Sequence, residues 1–458
     1  MFFQQIVDQD LGCASYIVAS SSEQTCLIVD PRWEIEPYLE VIHTQGFTVS
    51  GIVETHTHAD HVSGHGRLAE ATGAPIYIHE SADVEYPHRS LRDGDVIRLA
   101  EVSLHVLHTP GHRPEHIALA VEDGARGADP WLVMTGDSLL VGDVARPDLA
   151  VDGIQGAELL FQSLHEKLLT LPEFTQVYPA HLAGSLCGRV DSHVSGTTLG
   201  YERRYNAALT VAEPEAFVAF MNRDLPQRPP NMERVVALNR GPLNSRADFP
   251  ARLSPEDVSA LDDSILRLDV RPSDDYLCLH IPGSVHVPVS GSQFGTRAGF
   301  VVAVDTELVL VSQGDDDCRA AVNGLRAVGF EKLRGFLRFE DWIESGREVA
   351  SIPTISARDL SFHLGRDDVA VLDVREPSEW KQGVVEGAQL LPYHRIMDLG
   401  VPLPQAALVA TVCESGVRSA IAAALLERRG LSNAANVSGG MTAWVEAGLP
   451  AVPPPDRK

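Results

Sequence analysis

Seven residues, Thr55-His56-Thr57-His58-Ala59-Asp60-His61, follow the apolar run Gly51-Ile52-Val53-Glu54 and precede a helical pattern beginning near His65. A His-x-His-x-Asp-His spacing at a strand-to-helix turn constrains the fold strongly, because an α/β sheet presents ligands outside the carboxyl ends of its strands. Neutral imidazole nitrogen and carboxylate oxygen suit zinc, iron or manganese. Three later segments carry the same kind of residue, each after an apolar run and at an expected loop. They are His112 in Thr109-Pro110-Gly111-His112, Asp137 in Thr135-Gly136-Asp137-Ser138, and His181 in Tyr178-Pro179-Ala180-His181. Of 18 histidines, 14 precede residue 194, so the metal chemistry is expected in the first half.

The surrounding pattern is α/β. Cys26 to Asp30, Gly51 to Thr55, Pro75 to His79 and Val102 to Leu107 are short, β-branched and bounded by turn residues. Helical patterns, Ile35 to Thr44 and His65 to Thr72, lie between them, which indicates a layered domain.

Charge narrows the partners. With 37 basic and 63 acidic residues the net charge is −26, which repels phosphate backbones and anionic lipid, so neither nucleic acid nor membrane is expected. Met1-Phe2-Phe3-Gln4-Gln5 lacks a secretory start, and no apolar run could span a bilayer. Six cysteines without paired spacing fit a reducing cytoplasm and free thiols. A homo-oligomer, by default a dimer, is the general expectation.

After the polar, proline-rich stretch Asn222 to Asn231 the sequence changes character. From about residue 255 it repeats itself. Leu268-Asp269-Val270-Arg271 resembles Leu372-Asp373-Val374-Arg375, Leu308 to Ser312 resembles Leu408 to Cys413, and Gly335-Phe336 with Trp342 resembles Gly439-Gly440 with Trp444. A repeat of about 100 residues is domain-sized. Three domains are expected, over 1–245, 255–350 and 352–458.

The ordered metal motifs resemble the metallo-β-lactamase superfamily over about residues 10 to 200, implying an N-terminal αββα sandwich. That superfamily includes zinc hydrolases such as glyoxalase II and mono-iron persulfide dioxygenases. Gly136 to Leu149 and Tyr178 to Arg189 resemble the persulfide dioxygenase version. That likeness implies one Fe(II) held by His56, His112 and Asp137, a two-His, one-carboxylate face with open positions. His58, Asp60, His61 and His181 would then orient those ligands. In a dinuclear zinc hydrolase the same four would bind metal directly, so zinc is the alternative. One departure is His112-Arg113-Pro114-Glu115-His116, where the family commonly has a small polar residue after the histidine; it is expected to reshape the pocket wall. Cys187 is six residues past His181, either a core cysteine or a thiol that contacts the persulfide. Arg146 either binds a substrate carboxylate or pairs with Asp143 or Asp148.

In the second repeat, Cys413-Glu414-Ser415-Gly416-Val417-Arg418-Ser419 lies between a buried strand and an alanine-rich helix. A cysteine there has loop amides and a helix N-terminus around it, which favours a nucleophilic thiolate and cradles an anion. The segment resembles the rhodanese active-site loop, implying sulfur transfer through a Cys413 persulfide with Arg418 steadying the anion. The first repeat has Ser312-Gln313-Gly314-Asp315-Asp316-Asp317 at that place. Serine forms no persulfide and three aspartates repel an anionic donor, so this copy is expected to be a silent rhodanese-like domain.

The three-domain order resembles persulfide dioxygenase–rhodanese fusions. The resemblance implies that a low-molecular-weight thiol persulfide and O2 give sulfite, which receives sulfane sulfur at Cys413 to give thiosulfate. Glutathione, coenzyme A, bacillithiol and mycothiol are equally open as the thiol. A glyoxalase II-type thioester hydrolase and a non-enzymatic persulfide carrier are the rival readings.

Overall fold

The computed structural model describes residues 1–182, 194–223, 225, 227–244, 248–366 and 368–455. Two compact units result: Met1–Asp248 with Asn323–Gly329, and Phe249–Val322 with Phe330–Lys458.

The first unit has two six-stranded sheets. One runs β1 (Phe2–Val7), β2 (Ala14–Ser20), β3 (Thr25–Val29), β4 (Thr48–Val53), β5 (Ile76–His79) and β6 (Arg89–Leu91) in chain order. Its first three strands pair antiparallel and the rest parallel. The other comprises β7 (Val96–Leu99), β8 (Val102–His108), β9 (Ile117–Asp123), β10 (Leu132–Gly136), β11 (Gln176–Pro179) and β12 (Thr197–Thr198), with only β10 and β11 parallel.

Strand alternation builds the layers. Tyr16, Val18, Leu27 and Val29 face Leu104, Val106, Leu119 and Met134 of the other sheet in one core. Ile17, Ala19 and Ile28 pack on the opposite side, beneath Tyr38 and Leu68 of the helices Glu36–Gln45 and His65–Thr72. Ala118, Ala120 and Val133 likewise pack beneath Leu160 and Leu164 of the helix Gly153–Glu166. This is the αββα sandwich, and β4, β10 and β11 all end toward the metal-competent loops.

The second unit has two parallel sheets. The first contains β13 (Leu266–Asp269), β14 (Val285–His286), β15 (Leu308–Ser312) and β16 (Leu333–Arg338), ordered β14-β13-β15-β16. The second contains β17 (Thr354–Ser356), β18 (Val369–Asp373), β19 (Gln389–Leu390), β20 (Leu408–Val412) and β21 (Ala434–Ser438), ordered β17-β21-β20-β18-β19. Each has its own core, one around Val309, Val311 and Trp342, the other around Ala410, Val412 and Trp444.

Register corrects one sequence correspondence. Leu310 pairs with Phe336 and Thr411 with Asn436, so Phe336 occupies the place of Asn436. Gly335 therefore lies inside β16 and is not the counterpart of Gly439-Gly440, which follow β21. Alternating apolar residues hide this offset in the sequence. Among the described residues no helix is long and apolar enough to cross a membrane.

Candidate metal centre and candidate thiol site

At the end of β4 the chain turns into the histidine loop, which is held from several sides. Asp30, at the end of β3, accepts from the Thr55 amide at 2.7 Å and its hydroxyl at 2.8 Å. The Asn239 side chain accepts from the Ser63 amide and donates to the carbonyls of His58 and His61. Glu115 accepts from the Thr57 amide and from buried Arg113 Nε. The departure at Arg113 thus builds a buried ion pair that braces the loop.

His56, His112 and Asp137 come together, their candidate ligand atoms all within 4.8 Å of one another. Asp137 Oδ2 lies 3.7 Å from His56 Nε2 and 3.3 Å from His112 Nε2. Neighbours fix both tautomers. The Thr55 hydroxyl donates to Asp30 and so accepts from His56 Nδ1, while His112 Nδ1 donates to the Arg146 carbonyl at 3.0 Å. Each Nε2 is left as a lone pair. His56 Nε2 and Asp137 Oδ2 are buried with no hydrogen-bond partner, an arrangement that is costly unless a cation lies between them. The donor set fits a divalent transition metal.

Electrostatics agree. Burial, with three neighbouring imidazoles, keeps His56 neutral well below its ordinary range. Burial also lowers His112, against the pull of Asp137. Burial would raise Asp137, but the charge and hydrogen bond of His181 outweigh it and keep the carboxylate ionised. His116, pushed by burial to about 3, accepts the Asp137 amide at Nε2 (2.9 Å). Gly136 makes that contact possible: its φ is +50°, and a Cβ there would lie 2.5 Å from His116 Nε2.

The four supporting candidates divide. His58 Nε2 sits 3.3 Å from both Asp30 Oδ1 and Glu54 Oε2. Burial opposes its charge, but these carboxylates push it up to about 10. Asp60, His61 and His181 form a separate group with Cys13, again with ligand atoms within 4.8 Å of one another. His181 bridges the groups, with Nδ1 2.5 Å from Asp137 Oδ1 and Nε2 2.6 Å from Asp60 Oδ2. Arg146 pairs with Asp148 through Nε and Nη2 at 2.7 and 3.0 Å, and Asp148 also receives Arg228. Cys187 lies outside the described residues.

Cys413 is buried at the end of β20. Its Sγ accepts from the Gly416 amide at 3.1 Å and the Ser419 hydroxyl at 3.4 Å. Arg418 gives both terminal nitrogens to Glu379, each at 2.6 Å. It therefore fixes the helix Val417–Arg428 beside the thiol, with its charge already matched. Sequence reasoning missed Cys13, Asp30, Glu54, Glu379 and Asn239. Each is brought in by tertiary pairing, with no motif spacing to reveal it.

The comparisons agree with this architecture. The model described as Metallo-beta-lactamase superfamily matches residues 8–181, and the Rhodanese-like domain model matches 254–338 and 356–447. The probable metallo-hydrolase YqgX of Bacillus subtilis is 34% identical over 180 residues, 35% of this chain and 81% of that protein. The human mitochondrial persulfide dioxygenase ETHE1 is 30% identical over 229 residues, 49% of this chain and 82% of that protein. A crystal structure of a metallo-beta-lactamase from Staphylococcus aureus superposes with a TM-score of 0.67 at 29% identity, covering 74% of this chain and 99% of that one. The chain belongs to the metallo-beta-lactamase superfamily. Within it, this is a fusion in which the metallo-beta-lactamase sandwich is followed by two rhodanese-like domains.

Proposed function

We propose that the protein is an iron-dependent persulfide dioxygenase joined to a sulfurtransferase. A low-molecular-weight thiol persulfide reacts as RSSH + O2 + H2O → RSH + SO3²⁻ + 2H⁺. The carrying observation is the trio His56, His112 and Asp137, with two ligand atoms buried and unpartnered. The likeness to ETHE1 supports the substrate class. His58, which a dinuclear hydrolase would use as a ligand, is instead held between Asp30 and Glu54.

Iron(II) held by this trio would supply a place where O2 and the terminal sulfur meet. The protein's part is to keep that face open and its ligands fixed. Thr55 and the Arg146 carbonyl keep protons on the far nitrogens of His56 and His112. His181 holds one oxygen of Asp137 so that the other faces the trio.

At the second site the Cys413 thiolate attacks the outer sulfur of another persulfide. The S–S bond breaks, the thiol leaves with the proton, and Cys–S–S⁻ remains. A sulfite lone pair then attacks that outer sulfur, releasing thiosulfate and regenerating the thiolate. The Gly416 amide and Ser419 hydroxyl donate to sulfur bearing negative charge, and the N-terminus of the helix Val417–Arg428 faces the same loop.

An oxygen electrode with several thiol persulfides, and metal analysis of the same anaerobically purified protein, tests the reading. O2 uptake with iron present is expected, and His112→Ala or Asp137→Ala should remove iron and O2 uptake together. Hydrolysis of S-lactoylglutathione by a zinc-loaded protein that consumes no O2 would establish the thioesterase instead.

A further inference from the structure

The first rhodanese-like repeat reaches the thiol site of the second. Phe300, on the helix Phe294–Val301, stacks on His394 with ring centroids 4.9 Å apart and planes 29° apart, and meets Tyr393 edge-on at 6.3 Å. Tyr393 and His394 are buried, and backbone bonds tie them to the Cys413 loop. The Tyr393 amide donates to the Val374 carbonyl at 3.0 Å, and the Val374 amide donates at 2.9 Å to the carbonyl of Val412, the residue before Cys413. The same repeat also holds the far end of the helix Val417–Arg428. His280 Nε2 lies 3.0 Å from Glu427, and Arg428 donates to the Gly283 carbonyl at 2.7 Å.

Arg297 stands three residues before Phe300 and so shares its helix face, the one turned toward Tyr393. Burial pushes the Tyr393 phenol up and keeps it protonated; Arg297 and Arg418 act against that shift, while Glu376 and Glu379 add to it. Two guanidinium groups and two carboxylates therefore act on one buried hydroxyl. Arg418 is already matched by Glu379, and Glu376 lies 3.2 Å from His394 Nε2. Glu414, next to the thiol, is a further carboxylate, 3.5 Å from Arg375. Such acids would repel an incoming anion, and Arg297 is a cation that the first repeat sets against them.

We propose that Arg297 makes the Cys413 site a shared one: its charge, supplied from the first repeat, sets the preference for dianionic sulfite as the sulfur acceptor. The inference rests on the sulfurtransferase reading of Cys413 and names what selects its second substrate. The step is Cys–S–S⁻ + SO3²⁻ → Cys–S⁻ + S2O3²⁻. The sulfite lone pair forms the new S–S bond as the old one breaks, and the electron pair of the old bond stays on Cys413. Two anions meet in this step, and Coulomb energy scales with the charge of the acceptor. Losing Arg297 should therefore cost a dianion more than a monoanion and leave a neutral acceptor almost untouched. A repeat without a nucleophile would still contribute a specificity-determining residue.

The test uses the full-length protein, with Arg297→Gln against a charge-preserving Arg297→Lys and glutathione persulfide as the donor. At about pH 8 sulfite is mainly the dianion and cyanide mainly neutral HCN, which reacts as Cys–S–S⁻ + HCN → Cys–S⁻ + SCN⁻ + H⁺. Arg297→Gln should raise KM for sulfite about 10–100-fold and leave transfer to cyanide within about 2-fold. Arg297→Lys should recover most of the sulfite KM. Alkylation of Cys413, followed by peptide mass spectrometry, reads the same field without sulfur transfer. Arg297→Gln should slow anionic iodoacetate about 3–10-fold relative to neutral iodoacetamide. Equal slowing of both reagents would mean that Arg297 only supports the fold, and an unchanged ratio that its charge does not reach the thiol; either overturns the proposal. A wild type that forms neither thiosulfate nor thiocyanate would sink the sulfurtransferase reading, and the sulfite assignment with it. The alkylation ratio would even then show whether Arg297 sets the field at Cys413.

Discussion

The two rhodanese-like repeats share a frame and differ in the loop that would do chemistry. In the first, Arg271 donates to Asp269 through Nε and Nη2 and to the Leu279 carbonyl; in the second, Arg375 treats Asp373 and the Gly383 carbonyl the same way. Trp342 and Trp444 each donate Nε1 to a carbonyl six residues on. The loops diverge. From Ser312 the next helix starts at Asp315, whereas from Cys413 it starts at Val417, giving the second repeat one more residue in its cradle. Trp342 lies six residues past Phe336, whereas Trp444 lies eight past the equivalent Asn436, so Gly439-Gly440 is an addition. The Ser312 hydroxyl is buried without a partner, while two donors converge on Cys413 Sγ. Packing preserves the fold in both copies, and the two differ in backbone geometry and side chains at one loop.

The largest effect should come from exchanging the nucleophiles. Cys413→Ser is expected to lower sulfur transfer by about 10³-fold or more and to shift the product from thiosulfate to sulfite, with O2 uptake unchanged. Adding Ser312→Cys in that background should restore nothing, because the shorter loop and Asp315, Asp316 and Asp317 remain. Thiosulfate formation by the double variant would show that side-chain identity alone divides the repeats.

Much of this was legible in the sequence, and the remainder has a physical reason for being hidden. The helix His65–Thr72 and strand Leu408–Val412 follow from periodicity and turn residues, and their bounds match. His56, His112 and Asp137 stand in motifs at strand ends, so a likeness could single them out. Cys13 stands in no motif and meets His181, 168 residues away, only through a backbone bridge. Asp30 and Glu54 read as ordinary strand-end acids until β3 and β4 pair and bring both onto His58. The missing cradle of the first repeat depends on register, which a one-dimensional match of glycine and tryptophan misaligns.

A smaller effect is expected at the added glycines. Gly440 has φ +56°, and a Cβ there would lie 2.2 Å from the Cys413 carbonyl oxygen, a backbone atom that cannot move without reshaping the cradle. Gly440→Ala should cost about 1–3 kcal/mol in strain and lower sulfur transfer, read from denaturant midpoints and thiosulfate yield. Gly335→Ala in the first repeat meets mainly the Leu253 side chain, at 2.6 Å. It should perturb stability while leaving sulfur transfer untouched. Equal loss of transfer in both variants would mean that general loosening of the unit governs it.

The smallest predicted difference concerns two ion pairs. Arg418 and Glu379 are mostly buried, whereas Arg338 and Asp315 of the first repeat are 34% and 52% exposed. Burial alone would raise Glu379, but the hydrogen bonds and charge of Arg418 hold its carboxyl below the ordinary value of 4.5. A depressed carboxylate stabilises the fold fully above its unfolded pKa and loses that contribution as pH falls through the folded one. Glu379→Gln should therefore lower stability by roughly 1 kcal/mol after allowance for partial exposure. The gap from wild type should be constant from pH 7 to 5 and close below about pH 4.5. Thermal unfolding across that range checks the sign. Asp315→Asn should show no such gap, since water already solvates both partners. A pH-dependent gap of equal size for Asp315→Asn would mean that the first repeat is also stabilised by its loop charge, and the division between the two copies would then rest on the thiol and loop length alone.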